Sequence, residues 1–278
     1  MIKIDVFGFV KWAGGKKQLI EQFKPHFPKK IEKYIEPFVG GGAVAFYIIQ
    51  KYKPKEVILS DINKELMNAF RAIRDDVDSL IAQLKQHKEY HEQQAKTYYY
   101  EIRKANPEEL SKIECAARFI YLNRTCFNGL YRVNSKGKFN VPIGKYKDPD
   151  IVQENKLRKI SKLLEGVKIK NESFENVLNW AKKGDFVYLD PPYYPLKKGH
   201  SFTTYSKDNF LEEEQKKLAE VFRKLDKKGC YVMESNSDTD FIRELYEDFD
   251  IKVVKASRMI NCQGEGRGKI NELVIRNY

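Results

Sequence analysis

The chain has 278 residues, enough for one large domain or for a core that carries a smaller inserted unit. Its 51 Lys and Arg residues exceed its 39 Asp and Glu residues, so the net charge is +12 with neutral histidines, and a polyanion is the first partner to consider. Hydrophobic residues make up 42% of the chain and aromatic residues 13%, which excludes an unfolded basic tail.

Several classes of protein are disfavoured by simple patterns. The longest apolar stretch, residues 43–49, is far shorter than a bilayer requires, and the start lacks the order of a secretory signal. The four cysteines have no Cys-x-x-Cys spacing and the histidines are scattered, so neither a metal cluster nor a disulfide framework is indicated. We therefore expect a protein of the reducing cytoplasm. Charge alone does not decide nucleic-acid binding, because many basic proteins are simply rich in Lys and Glu.

Apolar runs of strand length alternate with amphipathic stretches, as they do in a doubly wound α/β sheet. The predicted strands are 34–39, 56–60, 167–170, 186–190, 231–234, 251–254 and 272–276. The predicted helices of this core are 42–51, 63–85, 210–227 and 239–249. The fold class predicted from these elements is α/β.

The alternation stops between about residues 65 and 164, where no strand is predicted over roughly ninety residues, far more than an ordinary connection. We expect an inserted unit there, with helices over 98–104 and 109–122 and a short hairpin over 128–142. The polar face of that hairpin carries Arg132, Lys136 and Lys138. The predicted domains are a core of residues 1–64 and 165–278 and an inserted domain of residues 65–164.

A glycine-rich turn follows the first predicted strand. Residues 36–45 read Glu-Pro-Phe-Val-Gly-Gly-Gly-Ala-Val-Ala, and Asp61 ends the second predicted strand. Glycines let the backbone approach a ligand, and an acidic residue after the second strand can bind both ribose hydroxyls of an adenosine-bearing cofactor. This motif alone leaves two alternatives open. The turn could serve only to allow close helix packing, or the protein could be a dinucleotide-dependent dehydrogenase.

The segment Asp190-Pro191-Pro192-Tyr193 ends the fourth predicted strand, at the edge where open α/β sheets bind ligands. Because two prolines forbid a helix, the Asp190 carboxylate and the Pro191 carbonyl can act as paired acceptors for one amino group. Such bonds would draw adenine N6 toward tetrahedral geometry and make it nucleophilic, while Tyr193 offers a face for an unstacked base. A turn that merely closes a strand is the alternative, and nothing in the motif suits hydride transfer.

Six segments in one order resemble the Dam family of DNA adenine-N6 methyltransferases (D12 class, alpha group), and those around the hairpin look most like members that methylate GATC. The segments are 11–16, 37–42, 61–63, 127–134, 139–144 and 190–193. The resemblance implies a Rossmann-like methyltransferase sheet with an inserted, mostly helical target-recognition domain. It also implies S-adenosylmethionine as cofactor, double-stranded DNA as substrate, base flipping, and a restriction endonuclease that acts separately. We expect a monomer.

The resemblance also implies roles for individual residues. It assigns catalysis to Asp190, Pro191, Pro192 and Tyr193. It assigns cofactor binding to Trp12, Lys16, Glu36, Phe38, Gly40, Gly41, Gly42, Asp61 and Asp190, with Lys16 facing the methionine carboxylate and Asp61 the ribose. Without the family, Trp12 is interpreted more readily as a core residue and Lys16 as a solvated helix charge.

By the same resemblance, nine residues bind DNA. They are Lys11, Phe127, Asn128, Leu130, Arg132, Asn134, Lys136, Lys138 and Pro142. Arg132 matches an arginine that reads a guanine, which a guanidinium does through O6 and N7. Phe127 suits a wedge in the base stack, with a buried anchor of the hairpin as the equal alternative, and Asn128 could simply form a turn. Phe127 lacks the hydroxyl of the Tyr that some members carry, and Ile143 stands where an aromatic residue is frequent.

Further expectations concern charge, closure and substrate. We expect the positive charge to concentrate at Lys11, Arg124, Arg132, Lys136, Lys138, Lys145 and Lys147. Residues 201–206, with Tyr194 and Tyr205, are expected to close over the site or to form a passive loop. Paired acceptors also suit cytosine N4, an RNA adenine or a protein glutamine amide, and a non-catalytic DNA-binding module would need neither Asp190 nor the glycine turn.

Overall fold

The computed structural model describes residues 4–196, 210–257 and 269–278. Seven strands form one sheet in the order β3-β2-β1-β4-β5-β7-β6. The strands are β1 (Lys33–Glu36), β2 (Glu56–Ser60), β3 (Lys168–Lys170), β4 (Phe186–Leu189), β5 (Tyr231–Ser237), β6 (Asp250–Ser257) and β7 (Lys269–Arg276). The first five are parallel, and β7 lies between β5 and β6 and runs antiparallel to both. The predicted Rossmann-like α/β sheet is confirmed, and every predicted strand overlaps an observed one.

The helices pack on both faces of this sheet. They are α1 (Ile20–Phe23), α2 (Ala43–Tyr52), α3 (Lys64–Asp75), α4 (Val77–Lys104), α5 (Lys112–Thr125), α6 (Glu154–Leu164), α7 (Val177–Trp180), α8 (Glu212–Lys227) and α9 (Asp240–Leu245). Alternate residues of β4 enter different cores: Phe186 and Tyr188 enter one, and Val187 and Leu189 the other. A strand with this period of two is buried on both faces, which explains its unbroken apolar sequence.

Helix boundaries differ from the prediction at specific caps. The predicted helix over 63–85 is two helices, because Asp76 leaves helical geometry (φ −153°, ψ 67°) and its side chain accepts from the Ser79 N–H to begin α4. Helix α4 runs on to Lys104 through a non-helical Gln94, so the predicted helix over 98–104 is its end. Helix α6 was not predicted.

The predicted hairpin at 128–142 is a loop that folds back on itself with two isolated antiparallel bridges, Cys126 with Ile143 and Val133 with Phe139. Its tip is organised by Asn134, whose side-chain oxygen accepts from the N–H groups of Lys136 and Lys138 at 3.0 Å each. The surrounding helices share one hydrophobic core with the sheet, which includes Tyr188 of β4 and Tyr121 of α5. The division into a core and an inserted domain stays a prediction.

Within residues 4–196, 210–257 and 269–278, no helix combines the length and apolarity needed to cross a membrane.

Candidate active site

The turn after β1 is built around glycines that exclude side chains. Gly40 has φ +47°, and a Cβ there would lie 2.8 Å from Cδ1 of Trp12. Gly42 has φ +78°, and its Cβ would lie 2.7 Å from Cε2 of Phe46. Close packing therefore explains both glycines, and it leaves the backbone of the turn at the carboxyl end of β1, where a ligand can approach. Trp12 is half-buried against this turn and packs on the core, as its interpretation from the residues alone expected.

Asp61 joins this turn to the end of β2. Its Oδ2 accepts from the Gly40 N–H at 3.1 Å, and its Oδ1 accepts from the Asn63 N–H at 2.9 Å. Burial raises the pKa of Asp61 to about 6, against the lowering effect of these backbone hydrogen bonds. A carboxylate oxygen can accept more than one hydrogen bond, so Asp61 retains capacity for a pair of ribose hydroxyls.

Three aromatic rings lie beyond this carboxylate. The ring of Phe38 stacks on Phe174 with centroids 5.3 Å apart, and Phe210 meets Phe38 edge-on at 5.8 Å. Asn171 ties this region to the turn after β2, because its side-chain amide donates to the carbonyls of Asp61 and Ile62. Of these three rings, only Phe38 was predicted from the sequence. Phe174 could have been found from its place four residues after β3, at the same edge of the sheet.

Asp190 and Lys16 form a buried ion pair at the carboxyl end of β4. Lys16 Nζ lies 2.8 Å from Asp190 Oδ1, and the two side chains are 5% and 19% exposed. The same ammonium donates to the Gly14 carbonyl at 2.6 Å and lies 4.6 Å from the centroid of the Tyr193 ring. The interpretation of Lys16 as a solvated helix charge is therefore wrong, because the short 3-10 turn Lys16–Leu19 holds it over the end of the sheet.

Two residues that the sequence did not indicate complete this cluster. Ser235 of β5 donates its hydroxyl to Asp190 Oδ1 at 2.8 Å, and Glu272 of β7 accepts from the Tyr193 hydroxyl at 2.6 Å. Burial raises the pKa of Asp190, while the Lys16 charge and the Ser235 hydrogen bond oppose that rise. The sequence signal that could have indicated Ser235 is the run of polar residues Glu-Ser-Asn-Ser at 234–237 in a strand. The structure shows that all four are buried.

Glu36 is buried at the end of β1 and accepts from the Tyr34 hydroxyl at 2.7 Å. Burial raises its pKa well above the ordinary value, and the nearby charge of Asp190 adds to that effect. Burial and the Asp190 charge thus disfavour ionisation of Glu36, while the Tyr34 hydrogen bond and the Lys16 charge oppose this effect. Pro37 follows it and ends the strand, since proline has no N–H for the ladder.

Except for Lys11, the predicted DNA-binding residues lie on the loop of residues 126–143. Phe127 is 47% exposed, so its interpretation as a buried anchor is wrong. Its N–H donates to the carbonyl of Pro142 at 2.8 Å, and Asn128 adopts a left-handed turn with φ +55°. Leu130 is partly buried and packs against the main core.

Lys11 is held beside this loop by Asn123 of α5. The Asn123 side chain accepts from the Lys11 N–H and donates to the Lys11 carbonyl, at 2.8 Å each. The Lys11 ammonium lies 4.1 Å from the centroid of the Tyr146 ring. Asn123 also donates to the Gly129 carbonyl at 3.0 Å, so one buried amide joins the start of the chain to the loop.

The charged side chains of the loop differ in their freedom. Arg132 is exposed, and its Nε donates to the side-chain oxygen of Asn140 at 2.8 Å. Lys136 and Lys138 are exposed as well, whereas the Asn134 side chain is engaged in the turn. Arg124 does not fit the expected cationic surface, because it is 14% exposed and pairs with Asp150 at 3.3 Å.

Trp12 connects the two groups of predicted residues. Its ring stacks on Tyr131 with centroids 5.7 Å apart, and Tyr131 immediately precedes Arg132 in the loop. The Tyr131 hydroxyl donates to Glu65, which is paired with buried Arg118 at 2.8 Å. The stacked rings of Trp12 and Tyr131 therefore connect the glycine turn to the loop.

The expected closure segment falls mostly outside the described residues, which omit 201–206 and with it Tyr205. Tyr194 is described: its hydroxyl donates to Glu212 at 2.9 Å, and its ring packs on Phe241 at 4.6 Å between centroids. These contacts hold Tyr194 against α8 and α9.

Comparison with known proteins gives consistent matches over almost the whole chain. The family model for the D12 class N6 adenine-specific DNA methyltransferase matches residues 12–260. The Type II methyltransferase M.MjaIII of Methanocaldococcus jannaschii is 48% identical, with 99% of this chain and 100% of that protein covered. The Type II methyltransferase M1.LlaDCHI of Lactococcus lactis subsp. cremoris is 40% identical, with 99% and 97% covered. The DNA adenine methylase of Escherichia coli K12 is 35% identical, with 96% and 93% covered.

Proposed function

The chain belongs to the D12 class N6 adenine-specific DNA methyltransferases, for which S-adenosylmethionine is the methyl donor, and from this premise we propose that it methylates the adenine of GATC in double-stranded DNA. The observation that carries the proposal is the arrangement at the end of β4, where Asp190 is buried beside Lys16 and followed by Tyr193. The GATC assignment rests on the resemblance of residues 127–134 and 139–144 to members with that specificity.

The donor set at the carboxyl edge suits S-adenosylmethionine. Asp61 would accept hydrogen bonds from the ribose hydroxyls of the cofactor, and Lys16 would face its methionine carboxylate. The rings of Phe38 and Phe174 would border the adenine ring of the cofactor. The backbone at Gly40 and Gly42 leaves room for the methionine portion. When bound, the cofactor supplies a sulfonium methyl whose C–S bond breaks as the new bond to adenine N6 forms.

The residues after β4 would prepare the target amine. The Asp190 carboxylate and the Pro191 carbonyl would each accept a hydrogen bond from the N6 amino group, which would shift electron density onto the nitrogen. Tyr193 provides a stacking face for the base, and the ring is held by Glu272. Asp190 need not be a strong base, because the methylated ammonium readily loses its proton.

The loop over 126–143 would read the DNA. Arg132 is exposed and would bind guanine O6 and N7, while Lys136 and Lys138 would bind phosphates. Since N6 is paired inside a duplex, the adenine has to rotate out of the helix to reach Asp190. The exposed ring of Phe127 suits insertion beside the vacated position.

Two aspects of context belong to the same proposal. The names of two relatives, Type II methyltransferases, support a restriction endonuclease that acts separately on the same sequence. We also propose that the protein works as a monomer in the cytoplasm, which size-exclusion chromatography with light scattering and localisation of a tagged copy would test.

The decisive experiment uses labelled S-adenosylmethionine with duplexes that contain GATC, with duplexes in which one base of the site is changed, and with RNA of the same sequence. Mass spectrometry of the digested product identifies the methylated base. N6-methyladenine in the GATC duplex alone is the expected result. Product on cytosine N4 or on RNA would overturn the substrate assignment, and binding of DNA without any transfer would favour a non-catalytic module.

A further inference from the structure

Asp190 receives two hydrogen-bond donors on a single oxygen. Lys16 Nζ lies 2.8 Å from Oδ1, and the Ser235 hydroxyl donates to the same Oδ1 at 2.8 Å. The second donor comes from the neighbouring strand, since β4 and β5 pair in parallel with Leu189 opposite Glu234. Asp190 directly follows β4, and Ser235 is the next residue of β5. The contact is therefore fixed by the register of the sheet.

The direction of the Ser235 hydrogen bond follows from proton counting. A serine hydroxyl has one proton, and an ionised carboxylate can only accept, so that proton lies toward Asp190. The Tyr188 hydroxyl lies 2.8 Å from Ser235 Oγ and therefore donates to it. Tyr188 and Ser235 are both fully buried, so solvent does not compete for either bond. The result is a directed relay from Tyr188 through Ser235 to Asp190.

We propose that Ser235, oriented by Tyr188, is a positioning residue that holds the Asp190 carboxylate with Oδ1 occupied and Oδ2 free to accept from the amino group of the target base. This inference rests on the proposed function, because it assigns an orienting partner to the residue that accepts from adenine N6. Ser235 itself touches neither the base nor the cofactor in this role.

Lys16 cannot perform this orientation alone. An ammonium on a flexible four-carbon chain sets charge rather than direction, and Lys16 also bonds the Gly14 carbonyl. A short hydroxyl on a central strand has far less freedom, so it fixes the plane of the carboxyl group. A displacement of about 1 Å at a reacting centre is enough to cost roughly a hundredfold in rate.

Several other groups set the charge balance around Asp190. Lys16 faces it from the turn before α1, Glu36 from β1, Tyr188 from β4, Tyr193 from the following loop, Glu234 from β5 and Glu272 from β7. The Ser235 hydrogen bond favours the ionised form of Asp190, so its loss raises the pKa of that carboxyl. Burial also raises the pKa of Glu234, to about 7.

The test compares four variants with a GATC duplex, in steady-state kinetics over a range of pH and under single turnover. Ser235→Ala removes the donor, Tyr188→Phe removes the group that orients it, and Ser235→Thr retains a hydroxyl. Tyr246→Phe is the matched control, because it removes a buried phenol that donates to Glu234 on the same strand without touching Asp190. Thermal unfolding of each variant reports any loss of folded protein.

Ser235→Ala is expected to lower kcat roughly ten- to hundredfold, with KM for both substrates changed less than about threefold. Tyr188→Phe should lower kcat less, and Ser235→Thr should restore most of it. The acid limb of the kcat profile should move to higher pH in Ser235→Ala by roughly half a unit or more, and stay in place in Tyr246→Phe.

Three results would overturn the inference. They are a Ser235→Ala enzyme with wild-type kcat and pH profile, a Ser235→Thr enzyme as impaired as Ser235→Ala, and an acid limb that moves only in Tyr246→Phe. A wild-type protein that transfers no methyl group to adenine N6 would instead refute the proposed function, so the two failures are distinguishable.

Discussion

Lys16 and Asp190 are joined at 2.8 Å across the carboxyl edge of the sheet, although they are 174 positions apart in the chain. The pair links a residue proposed to hold the cofactor with the residue proposed to accept from the target base. Because both side chains are largely buried, each charge depends on the other for compensation. Cofactor binding and the ionisation of Asp190 should therefore be coupled through the Lys16 ammonium.

The first prediction tests this pair. Lys16→Met should weaken S-adenosylmethionine binding roughly tenfold or more, because a charged hydrogen bond is lost. The acid limb of the pH profile of methyl transfer should also move to higher pH, because the cation that lowers the pKa of Asp190 is gone. Asp190→Asn should lower kcat by about a hundredfold or more while DNA affinity stays nearly unchanged. Isothermal titration, single-turnover kinetics and fluorescence anisotropy measure these effects.

The double variant is the control for this prediction. Each single substitution leaves a buried charge without its partner. The double variant Lys16→Met with Asp190→Asn should therefore lose less unfolding free energy than the sum of the losses in the two single variants. Strictly additive losses of unfolding free energy in urea would mean that the two charges do not compensate each other.

The second prediction concerns the pH dependence at Asp61. Burial raises its pKa from an ordinary 3.8 to about 6, so the folded state binds the proton more tightly than the unfolded chain does. The contribution of Asp61 to stability is therefore greatest at low pH and is lost, by about 3 kcal/mol, as pH rises through this window. Affinity for the cofactor should change in the opposite direction, since an ionised carboxylate accepts more strongly from ribose hydroxyls.

Asp61→Asn is the matched variant, because it retains the shape and cannot ionise. It should bind the cofactor weakly, with a flat dependence on pH between about pH 4 and pH 7 in titration calorimetry. A wild-type affinity that does not rise across that range would contradict the role of Asp61 as the ribose acceptor.

The third prediction separates base reading from phosphate binding. With Nε of Arg132 bound to Asn140, two terminal nitrogens remain for a guanine. Arg132→Ala should lose roughly 1–3 kcal/mol of preference at one guanine of the site. Lys136→Ala is the matched control: it should lower the slope of log K against log salt by about one and leave sequence preference intact. Methylation of duplexes with single base changes, at several salt concentrations, measures both. Equal loss of affinity for cognate and mismatched DNA in Arg132→Ala would assign that residue to the phosphates instead.

The sequence and the structure agree best where local pattern determines the outcome. The apolar run before Asp190 predicted β4 because a central parallel strand is buried on both faces. The contacts of Ser235 and Glu272 could not be predicted, because they depend on β5 lying beside β4 and on β7 lying beside β5, and no spacing in the chain indicates that order. Lys16 was ambiguous for the same reason: its environment is created by a residue far away in the chain.

Helix boundaries failed for a local reason. Asp76 lies in an otherwise helical pattern, and only its side-chain bond to the Ser79 N–H turns it into a cap. An Asp in mid-pattern is compatible with a continuous helix, so the prediction of one helix over 63–85 had no contrary signal. The exposure of Phe127 in the loop and the burial of Arg124 at the end of α5 could not be predicted for a different reason, since exposure depends on tertiary neighbours.

The last prediction concerns the glycine turn. Gly40→Ala adds a Cβ that would lie 2.8 Å from the Trp12 ring, at a backbone angle that side chains rarely adopt. It should destabilise the fold by about 2 kcal/mol or more. Gly137→Ala is the matched control, because Gly137 has φ +74° and open space around the added Cβ, so it bears only the backbone cost, about 1 kcal/mol. Urea unfolding gives both values. Trp12→Ala combined with Gly40→Ala should bring the effect of the added methyl down to the Gly137→Ala value, because only the strained φ then remains. If Gly40→Ala costs no more than Gly137→Ala in the presence of the intact indole, the Trp12 ring yields without strain, and the turn is not held in place by the stack that runs from Trp12 to Tyr131.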